Sequence, residues 1–383
     1  MKIIPRFSPS ISWDDLILKK SDNSSIEIFQ KLFCNYLGKR YCLFLPSGRS
    51  ALYLILSYLK KIDKRKKVIL PAFTHSSIPE VVSALGLKVL FQDVSKETFL
   101  IDIENLNSDI LAVVPTHLFG LSCEMSRILE LSKTHNVYVI EDCAQGMGAR
   151  YEGRPLGSWG YACFFSFSIT KNFTTLSGGL VATDDYDLFK MGLKMIEKYN
   201  SICWEEMLKA FLFIFFSKPV IFLGILYPLL SLGNKKDILE LIFKERKRSK
   251  RYRFEQSSFK ASLGIRQFQK FNTINHRRKM NGVYLRSLLS EADHKLVIPK
   301  IAEKAEPSYL SFPIAIYKRN QLKHFLLRKG IDTTFGFLQA YGDCPNAKFL
   351  ENSILHLPVH HRLRKSDLEY IAKSVKDFLN CEV

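Results

Sequence analysis

The sequence predicts an α/β protein whose large domain holds a mostly parallel central sheet covered by helices, followed by a smaller C-terminal α+β domain. Between about residues 40 and 185, short runs rich in Val, Ile, Leu and Phe alternate with segments of helical spacing. Strands this apolar are buried on both faces, as in parallel sheets. The length of 383 residues is long for one hydrophobic core, which favours more than one domain.

The predicted elements follow one another in a regular order along the chain. Strands are predicted at residues 42–47, 66–72, 88–94, 110–118, 137–143 and 164–170. Helices are predicted between them at residues 49–62, 78–86 and 124–136. The C-terminal part predicts a strand at 308–317 and helices at 261–289, 319–330 and 365–379. Ser366 is the expected N-cap of the last helix.

The domain prediction is a large domain over residues 1–205, an insert over 206–254 and a small domain over 255–383. Within the insert, residues 210–234 carry a single charge, and the segment that follows is strongly basic. A membrane span is not expected, because it would separate the two domains and because two prolines interrupt the stretch.

Two interpretations of the insert stay open. The segment packs as a buried helical hairpin or dimer contact, or it dips into one leaflet of a membrane. The second is favoured, because the adjacent basic residues would meet anionic headgroups. These residues are Lys235, Lys236, Lys244, Arg246, Lys247, Arg248, Lys250 and Arg251. The protein would then lie on the cytoplasmic face of the membrane through residues 210–253.

Charge and cysteine content narrow the function classes. The formal net charge of +19 favours anionic ligands, although no nucleic-acid-binding motif is present and no nucleic-acid partner is expected. The eight cysteines form no C-x-x-C pair, so no metal site is predicted and a reducing cytoplasm is the expected compartment. The N-terminal segment lacks the features of a signal peptide.

Polar residues follow several of the predicted strands, at the edge where parallel sheets bind ligands. In "PSGRSAL", Gly48, Arg49 and Ser50 lie where a strand turns into a helix, and a helix N-terminus suits a phosphate. Taken alone, a strand-to-helix segment with Gly and Ser is more often only a turn.

Asp142 and Lys171 follow two further strands. A carboxylate at the end of an apolar strand is either a structural cap or a counter-charge for a cationic ring nitrogen, to which Gln145 could add a contact. Lys171 follows "FFSFSIT" and is either a surface lysine or one placed to form a covalent imine. A phosphate cradle, an acid and a lysine in this order are what pyridoxal phosphate needs.

The chain resembles the DegT/StrS-type sugar aminotransferases, which have the type I pyridoxal phosphate-dependent fold. The likeness rests on "PSGRSAL", on "VIEDCAQGMGARYEGRPLGSWGYACFFSFSITKN" and on "LHLPVHHRLRKSDLEYI", and it covers about residues 1–195 and 255–383. It implies transfer of an amino group, from glutamate, to a nucleotide-linked keto-sugar in surface-polysaccharide or deoxyaminosugar biosynthesis. It also implies a homodimer with the active site at the subunit interface.

The resemblance also assigns roles to individual residues. Lys171 matches the Schiff-base lysine and Asp142 the partner of the ring nitrogen, with Gln145 as a neighbouring contact. Ser166 matches a phosphate-binding serine. His75 stands where the family stacks an aromatic residue on the cofactor ring.

Several positions depart from the family pattern. Arg49 and Ser50 replace Thr and a small residue at the phosphate, and Ser177 replaces a Glu. Arg253 lies near the position of an Asn that reaches the phosphate from the second subunit. His117 matches a common histidine without an assigned role.

Two alternatives to an aminotransferase remain. One is a sugar dehydratase on the same fold, in which a histidine replaces the lysine; the presence of Lys171 counts against it. The other is a non-catalytic or membrane-associated family member that binds the cofactor.

Overall fold

The computed structural model describes residues 2–16, 24–196, 204–216, 252, 254–290 and 295–381. Its strands are β1 (Tyr41–Leu45), β2 (Lys67–Pro71), β3 (Phe73–His75), β4 (Lys88–Gln92), β5 (Ile110–Val113), β6 (Tyr138–Asp142), β7 (Arg150–Tyr151), β8 (Arg154–Pro155), β9 (Ala162–Ser166), β10 (Gly179–Thr183), β11 (Ala305–Glu306), β12 (Phe312–Ala315), β13 (Leu338–Ala340) and β14 (Ile354–Leu357). Its helices are α1 (Trp13–Leu16), α2 (Ser24–Leu37), α3 (Gly48–Ile62), α4 (Ser77–Ala84), α5 (Met125–Thr134), α6 (Tyr186–Met195), α7 (Trp204–Phe216), α8 (Ser258–Leu289), α9 (Arg319–Arg328), α10 (Pro345–Ser353) and α11 (Lys365–Asn380).

A seven-stranded sheet in the order β1-β10-β9-β6-β5-β2-β4 forms the centre of the molecule. Its strands pair in parallel except β10, which runs antiparallel to both β1 and β9. One hydrophobic cluster, which contains residues of α2 and α8, packs on one face, and a second, with residues of α3 and α4, packs on the other. The predicted fold class, a mostly parallel sheet covered by helices, is confirmed.

The C-terminal part forms its own cluster around the antiparallel pair β12 and β14, together with α9, α11 and the end of α8. The start of the chain joins this part, since Ile4 bridges to Ile331 and its N–H donates to the carbonyl of Gly330 (2.9 Å). Strand β13 pairs with β3, which places Leu338 opposite His75. The C-terminal part is therefore paired with β3, the strand that carries His75.

Two local predictions are wrong. The strand predicted through residue 170 ends at Ser166, because the chain then turns, with the N–H of Lys171 donating to the carbonyl of Ser168 (3.0 Å). Ser366 is not the N-cap of the last helix, which already begins at Lys365. The Asp367 carboxylate caps this helix by accepting the N–H of Arg364 (2.7 Å).

The described start of the apolar insert packs against the body of the protein. In α7, Ala210 and Ile214 are buried beside Ile11 and Leu263. No helix among the described residues is long and apolar enough to cross a bilayer. The rest of the insert, residues 217–251, and Arg253 lie outside the described residues. The membrane contact and the role of Arg253 in the partner subunit therefore remain predictions.

Candidate active site

The loops that follow β1, β3, β6 and β9 enclose a cavity of about 140 Å³ at one edge of the sheet. The predicted site residues that line it are Gly48, Arg49, His75, Asp142, Gln145, Ser166 and Lys171. Ser50, which was also predicted, is 3% exposed and is not among the lining residues. The fold thus brings together predicted residues that are separated by more than a hundred positions in the sequence. We call this space the cofactor cavity.

The N-terminus of the 15-residue helix α3 forms one end of the cofactor cavity. Ser47 caps the helix, with its Oγ accepting the N–H of Ser50 (3.1 Å). At Gly48 a Cβ atom would lie 3.2 Å from the carbonyl oxygen of Phe165, which explains the glycine there. At Gly179 a Cβ atom would lie 2.3 Å from the backbone of Ser47, so β10 can start only with a glycine. The free N–H groups and dipole of α3 make this end a suitable phosphate site.

Asp142, the last residue of β6, supplies a buried carboxylate that is 2% exposed. One of its oxygens accepts the N–H of Ala144 (2.9 Å), and the other lies 3.4 Å from the hydroxyl of Thr116. Burial raises the pKa of Asp142 to about 6, although these bonds and the charge of Lys171 act in the opposite direction. A cationic partner in the cavity would favour the ionised carboxylate.

Gln145 and His75 stand at the mouth of the cofactor cavity. The side-chain oxygen of Gln145 accepts the N–H of Phe119 (2.9 Å), which fixes the orientation of the amide. His75 is exposed at the end of β3, and its Nδ1 lies 2.9 Å from the hydroxyl of Ser77. The imidazole is therefore held at a position from which it could cover a ligand ring.

Lys171 is half-buried in a turn five positions beyond the end of β9. Its N–H donates to the carbonyl of Ser168 (3.0 Å), which closes the turn. The next residue, Asn172, is 2% exposed and donates from its side chain to the carbonyl of Met147 (3.0 Å). The turn is thus anchored on both sides of Lys171, which lines the cofactor cavity.

Ser177, which stands where the family pattern has Glu, also lines the cofactor cavity. Its hydroxyl lies 2.7 Å from Nζ of Lys260, a residue in the first turn of α8. At this position the chain therefore has a hydroxyl with a lysine beside it, where the family pattern has a carboxylate. This adds positive charge to the environment of a bound anion.

Glu141, the neighbour of Asp142, is a completely buried carboxylate with a full set of partners. It accepts the N–H groups of Gly157 (2.8 Å), Trp159 (2.7 Å) and Gly160 (2.7 Å). Burial opposes its ionisation, but His117 and these N–H groups outweigh it and hold the pKa of Glu141 below its ordinary value of 4.5. Glu141 therefore fixes the loop that follows β8.

His117 has a structural position below the cofactor cavity. Its Nδ1 accepts the N–H of Cys123 (3.2 Å), so Nε2 carries the proton and faces Glu141 at 3.3 Å. His117, Glu141 and Cys143 are close enough together to hold a metal ion. Their hydrogen bonds already occupy the donor and acceptor atoms of His117 and Glu141, so a structural role accounts for the group.

A second cavity of about 440 Å³ adjoins the first, and we call it the substrate cavity. The two share His75, Gln145, Ser168, Lys171 and Leu338. The other polar residues that line it are Arg6, Ser76, Thr170, Arg278, Ser311, Thr334, Gln339, His356 and His360. Sequence reasoning assigned no role to these residues. The "LHLPVHHRL" motif, which contains both histidines, was the only available signal.

Several buried basic side chains line the substrate cavity. Arg6 makes a double hydrogen bond to Asp332, with distances of 2.7 and 2.6 Å. Burial lowers the pKa of His356 to about 4. Burial, followed by the positive charge of Arg278, lowers the pKa of His360 to about 3. Both imidazoles are therefore neutral at neutral pH.

Pyridoxal phosphate fits the residues around the cofactor cavity. The N-terminus of α3 suits its phosphate, and Asp142 is a buried carboxylate in need of a cation. The hydroxyl of Thr74 lines the same space, is completely buried and has no hydrogen-bond partner, as expected of a ligand contact. Fold and site together define a pyridoxal phosphate-dependent enzyme of the type I fold.

The family follows from the sequence profile of the DegT/DnrJ/EryC1/StrS aminotransferase family, which matches residues 20–200 and 242–376. The match covers most of the chain, so the protein belongs to this family. The family is thereby confirmed, and similar solved structures confirm the type I fold. The family and the relatives named GDP-perosamine synthase agree with the predicted class of enzyme, a pyridoxal phosphate-dependent sugar aminotransferase.

Individual relatives agree with this class. GDP-perosamine synthase of Escherichia coli O157:H7 is 31% identical over 202 residues, which are 49% of this chain and 55% of the relative. Spore coat polysaccharide biosynthesis protein SpsC of Bacillus subtilis is 26% identical over 94% of this chain and 90% of its own length. The sugar aminotransferase CalS13 of Micromonospora echinospora has a similar fold, with a TM-score of 0.75, 19% identity and coverage of 98% and 100% of the two chains.

Proposed function

We propose that the protein transfers the amino group of glutamate to a nucleotide-linked keto-sugar, as a step in the synthesis of a surface polysaccharide. The observation that carries the proposal is that Lys171, Asp142 and the N-terminus of α3 line one cavity. The name of the perosamine synthase relative points to a GDP-linked sugar, and that of SpsC to polysaccharide synthesis. The presence of Lys171 favours an aminotransferase over the dehydratase alternative.

Each residue has a role that follows from its position. The first turn of α3, with Arg49 and Ser50, binds the phosphate of the cofactor, and Ser166 contributes from the end of β9. Asp142 would accept a hydrogen bond from the ring nitrogen and keep that nitrogen protonated. Gln145 would contribute a neighbouring contact, and His75 would cover the ring.

Lys171 carries the reaction itself. Pyridoxal phosphate, when bound, supplies the carbon that takes up the amino group and a ring that accepts electrons from the substrate. Nζ of Lys171 would hold the cofactor covalently, and the same amine would act as the base that removes the proton from the α-carbon of the donor.

The experiment is a visible absorption spectrum of the cofactor-loaded protein, followed by titration with glutamate. We expect the band of the lysine-bound cofactor to disappear as the aminated form accumulates. Oxidation of glutamate to 2-oxoglutarate should match the loss of the band one for one. A band that stays unchanged with glutamate and with other amino acids would rule out amino transfer.

We also propose a homodimer, as the family resemblance implies, with each site at the subunit interface and Arg253 near the partner's phosphate. Light scattering at decreasing concentration tests this arrangement, because an active monomer would contradict it. For the apolar and basic insert, flotation with neutral and acidic liposomes tests membrane contact on the cytoplasmic face. Binding should need acidic lipid and weaken in high salt.

A further inference from the structure

The substrate cavity contains a buried cation without a counter-charge. Arg278 on α8 lines this cavity and is 4% exposed. One terminal nitrogen of its guanidinium makes long hydrogen bonds to the carbonyls of Tyr309 (3.4 Å) and Leu310 (3.3 Å). Its Nε is buried without any partner. In the part of the chain that the structure describes, no carboxylate pairs with Arg278.

An unpaired buried charge is costly, and folded proteins normally compensate it. The same cavity shows the compensated case, since Arg6 is paired with Asp332 through two short bonds. Burial lowers the pKa of Arg278 to about 10, which still leaves it charged at neutral pH. The missing counter-charge at Arg278 is therefore expected to come with a ligand.

The neighbouring imidazole supplies no negative charge. Nε2 of His360 lies 3.1 Å from the carbonyl of Pro5. Because a carbonyl only accepts hydrogen bonds, Nε2 carries the proton, and Nδ1 is left with a lone pair. This Nδ1 is buried without a partner, so a second polar atom beside Arg278 is unsatisfied.

We propose that Arg278 binds a carboxylate of the amino-acid donor and thereby holds the donor next to Lys171. This inference rests on the proposed function. The planar guanidinium matches a carboxylate with two parallel hydrogen bonds. Arg278 and Lys171 line one cavity of about 440 Å³, a size that suits a small-molecule ligand.

A phosphate of the nucleotide-linked sugar could satisfy the same guanidinium. The burial of Arg278 favours the amino-acid donor, because a small acid can enter the cavity completely, whereas a nucleoside diphosphate is bulky. The experiment therefore uses glutarate for the donor and GDP for the nucleotide.

The first arm measures the reaction of the cofactor-loaded enzyme with glutamate. Arg278→Gln should raise the KM for glutamate about 10- to 100-fold, the loss expected for a charge-assisted bidentate contact, and lower kcat much less. Arg278→Lys keeps the charge but not the planar guanidinium, so its KM for glutamate should lie between that of the parent and that of Arg278→Gln. Arg277→Gln is the matched control, because Arg277 is the adjacent residue of α8 and is exposed.

The second arm measures the thermal midpoint of the cofactor-free protein with added ligand. Glutarate should raise the midpoint of the parent and of Arg277→Gln, but not of Arg278→Gln, and the neutral glutaramide should have no effect on any of them. Stabilisation by glutarate that survives in Arg278→Gln, or stabilisation of the parent through Arg278 by GDP and not by glutarate, would overturn the proposal.

The outcomes separate this inference from the proposed function. If the parent converts glutamate and Arg278→Gln does so with the same KM, only the role of Arg278 fails. If the parent converts no amino acid at all, the proposed function fails. Should Arg278→Gln not fold, Arg278→Lys and the contrast between glutarate and glutaramide in the parent still decide the question.

Discussion

Two buried charges, Glu141 below the cofactor cavity and Arg278 in the substrate cavity, have opposite surroundings. Glu141 accepts three backbone N–H groups and faces His117, so its charge is fully compensated within the chain. Arg278 has two long bonds to carbonyls and no carboxylate among the described residues. Complete compensation indicates a structural role, whereas missing compensation indicates a place for a ligand.

Asp142 lies between these extremes. It has two hydrogen-bond donors, yet burial raises its pKa to about 6. Its neighbour in the sequence, Glu141, has its pKa lowered, because it has more donors. The pKa values of these adjacent acids are thus shifted in opposite directions, and the acid with fewer hydrogen-bond donors lines the cofactor cavity. Substitutions of Glu141 and Asp142 by their amides should therefore change the free energy of unfolding in opposite directions.

The largest effect is expected for Lys171→Ala, which removes one of the five residues that line both cavities. Amino transfer should fall by about 10³-fold or more, because the amine is both the covalent attachment and the proton carrier. The thermal midpoint of the cofactor-free protein should stay close to that of the parent. Steady-state rates and the visible spectrum check this, with the exposed Lys88→Ala as control. Parental turnover in Lys171→Ala would exclude the residue from the reaction.

Glu141→Gln tests the structural side of the comparison. The amide cannot accept as many N–H groups, so the variant should lose about 3–5 kcal/mol of unfolding free energy at neutral pH. The pKa of Glu141 is lowered in the folded state, so its contribution exists above its ordinary value of 4.5 and disappears as the pH falls through the folded value. Urea unfolding at several pH values measures the difference. An equal loss at every pH would show that ionisation of Glu141 is irrelevant.

Asp142→Asn should stabilise the cofactor-free protein at neutral pH, whereas Glu141→Gln should destabilise it. The pKa of Asp142 is raised from 3.8 to about 6, so its stabilising contribution is present below the lower value and is lost as the pH rises through the higher one. Relative to the parent, the free energy of unfolding of Asp142→Asn should increase by about 3 kcal/mol as the pH rises from about 4 to about 8. Amino transfer should nevertheless be largely lost, since an amide cannot keep the ring nitrogen protonated.

Urea unfolding without cofactor measures this gain, with the exposed Asp109→Asn as control. A variant that is equally destabilised at both pH values would mean that Asp142 is satisfied within the chain, as Glu141 is. The distinction between the two adjacent acids would then be lost.

The cofactor cavity could be predicted because its parts are local in sequence. Asp142 ends an apolar strand, and "PSGRSAL" joins a strand to a helix; parallel strands bring such ends to one edge. The apolar run "FFSFSIT" predicts Lys171 at a strand end, but Lys171 lies in a turn beyond Ser166, because the run does not reveal that the N–H of Lys171 bonds to the carbonyl of Ser168. The cavity was nevertheless identified, since the turn returns to the same edge.

The substrate cavity could not be predicted, because tertiary packing alone brings its residues together. Arg6 comes from the start of the chain, Arg278 from the middle of the long helix α8 and His360 from near the end. Neither Arg6 nor Arg278 stands in a local pattern that differs from that of an ordinary surface residue, and only His360 belongs to a recognisable motif. Strand β3 and its partner β13 could not be predicted either, because each has only three residues, too few for a recognisable pattern.

The central claim, amino transfer to a nucleotide-linked keto-sugar, is tested most directly by following labelled nitrogen. The cofactor-loaded enzyme is incubated with ¹⁵N-glutamate and a panel of nucleotide-linked keto-sugars, GDP-4-keto-6-deoxy-D-mannose among them, and the products are analysed by mass spectrometry. We expect ¹⁵N in one amino-sugar nucleotide, formed in equal amount with 2-oxoglutarate and absent with Lys171→Ala. Loss of a hydroxyl group from the sugar without incorporation of ¹⁵N would contradict the account and indicate a dehydratase.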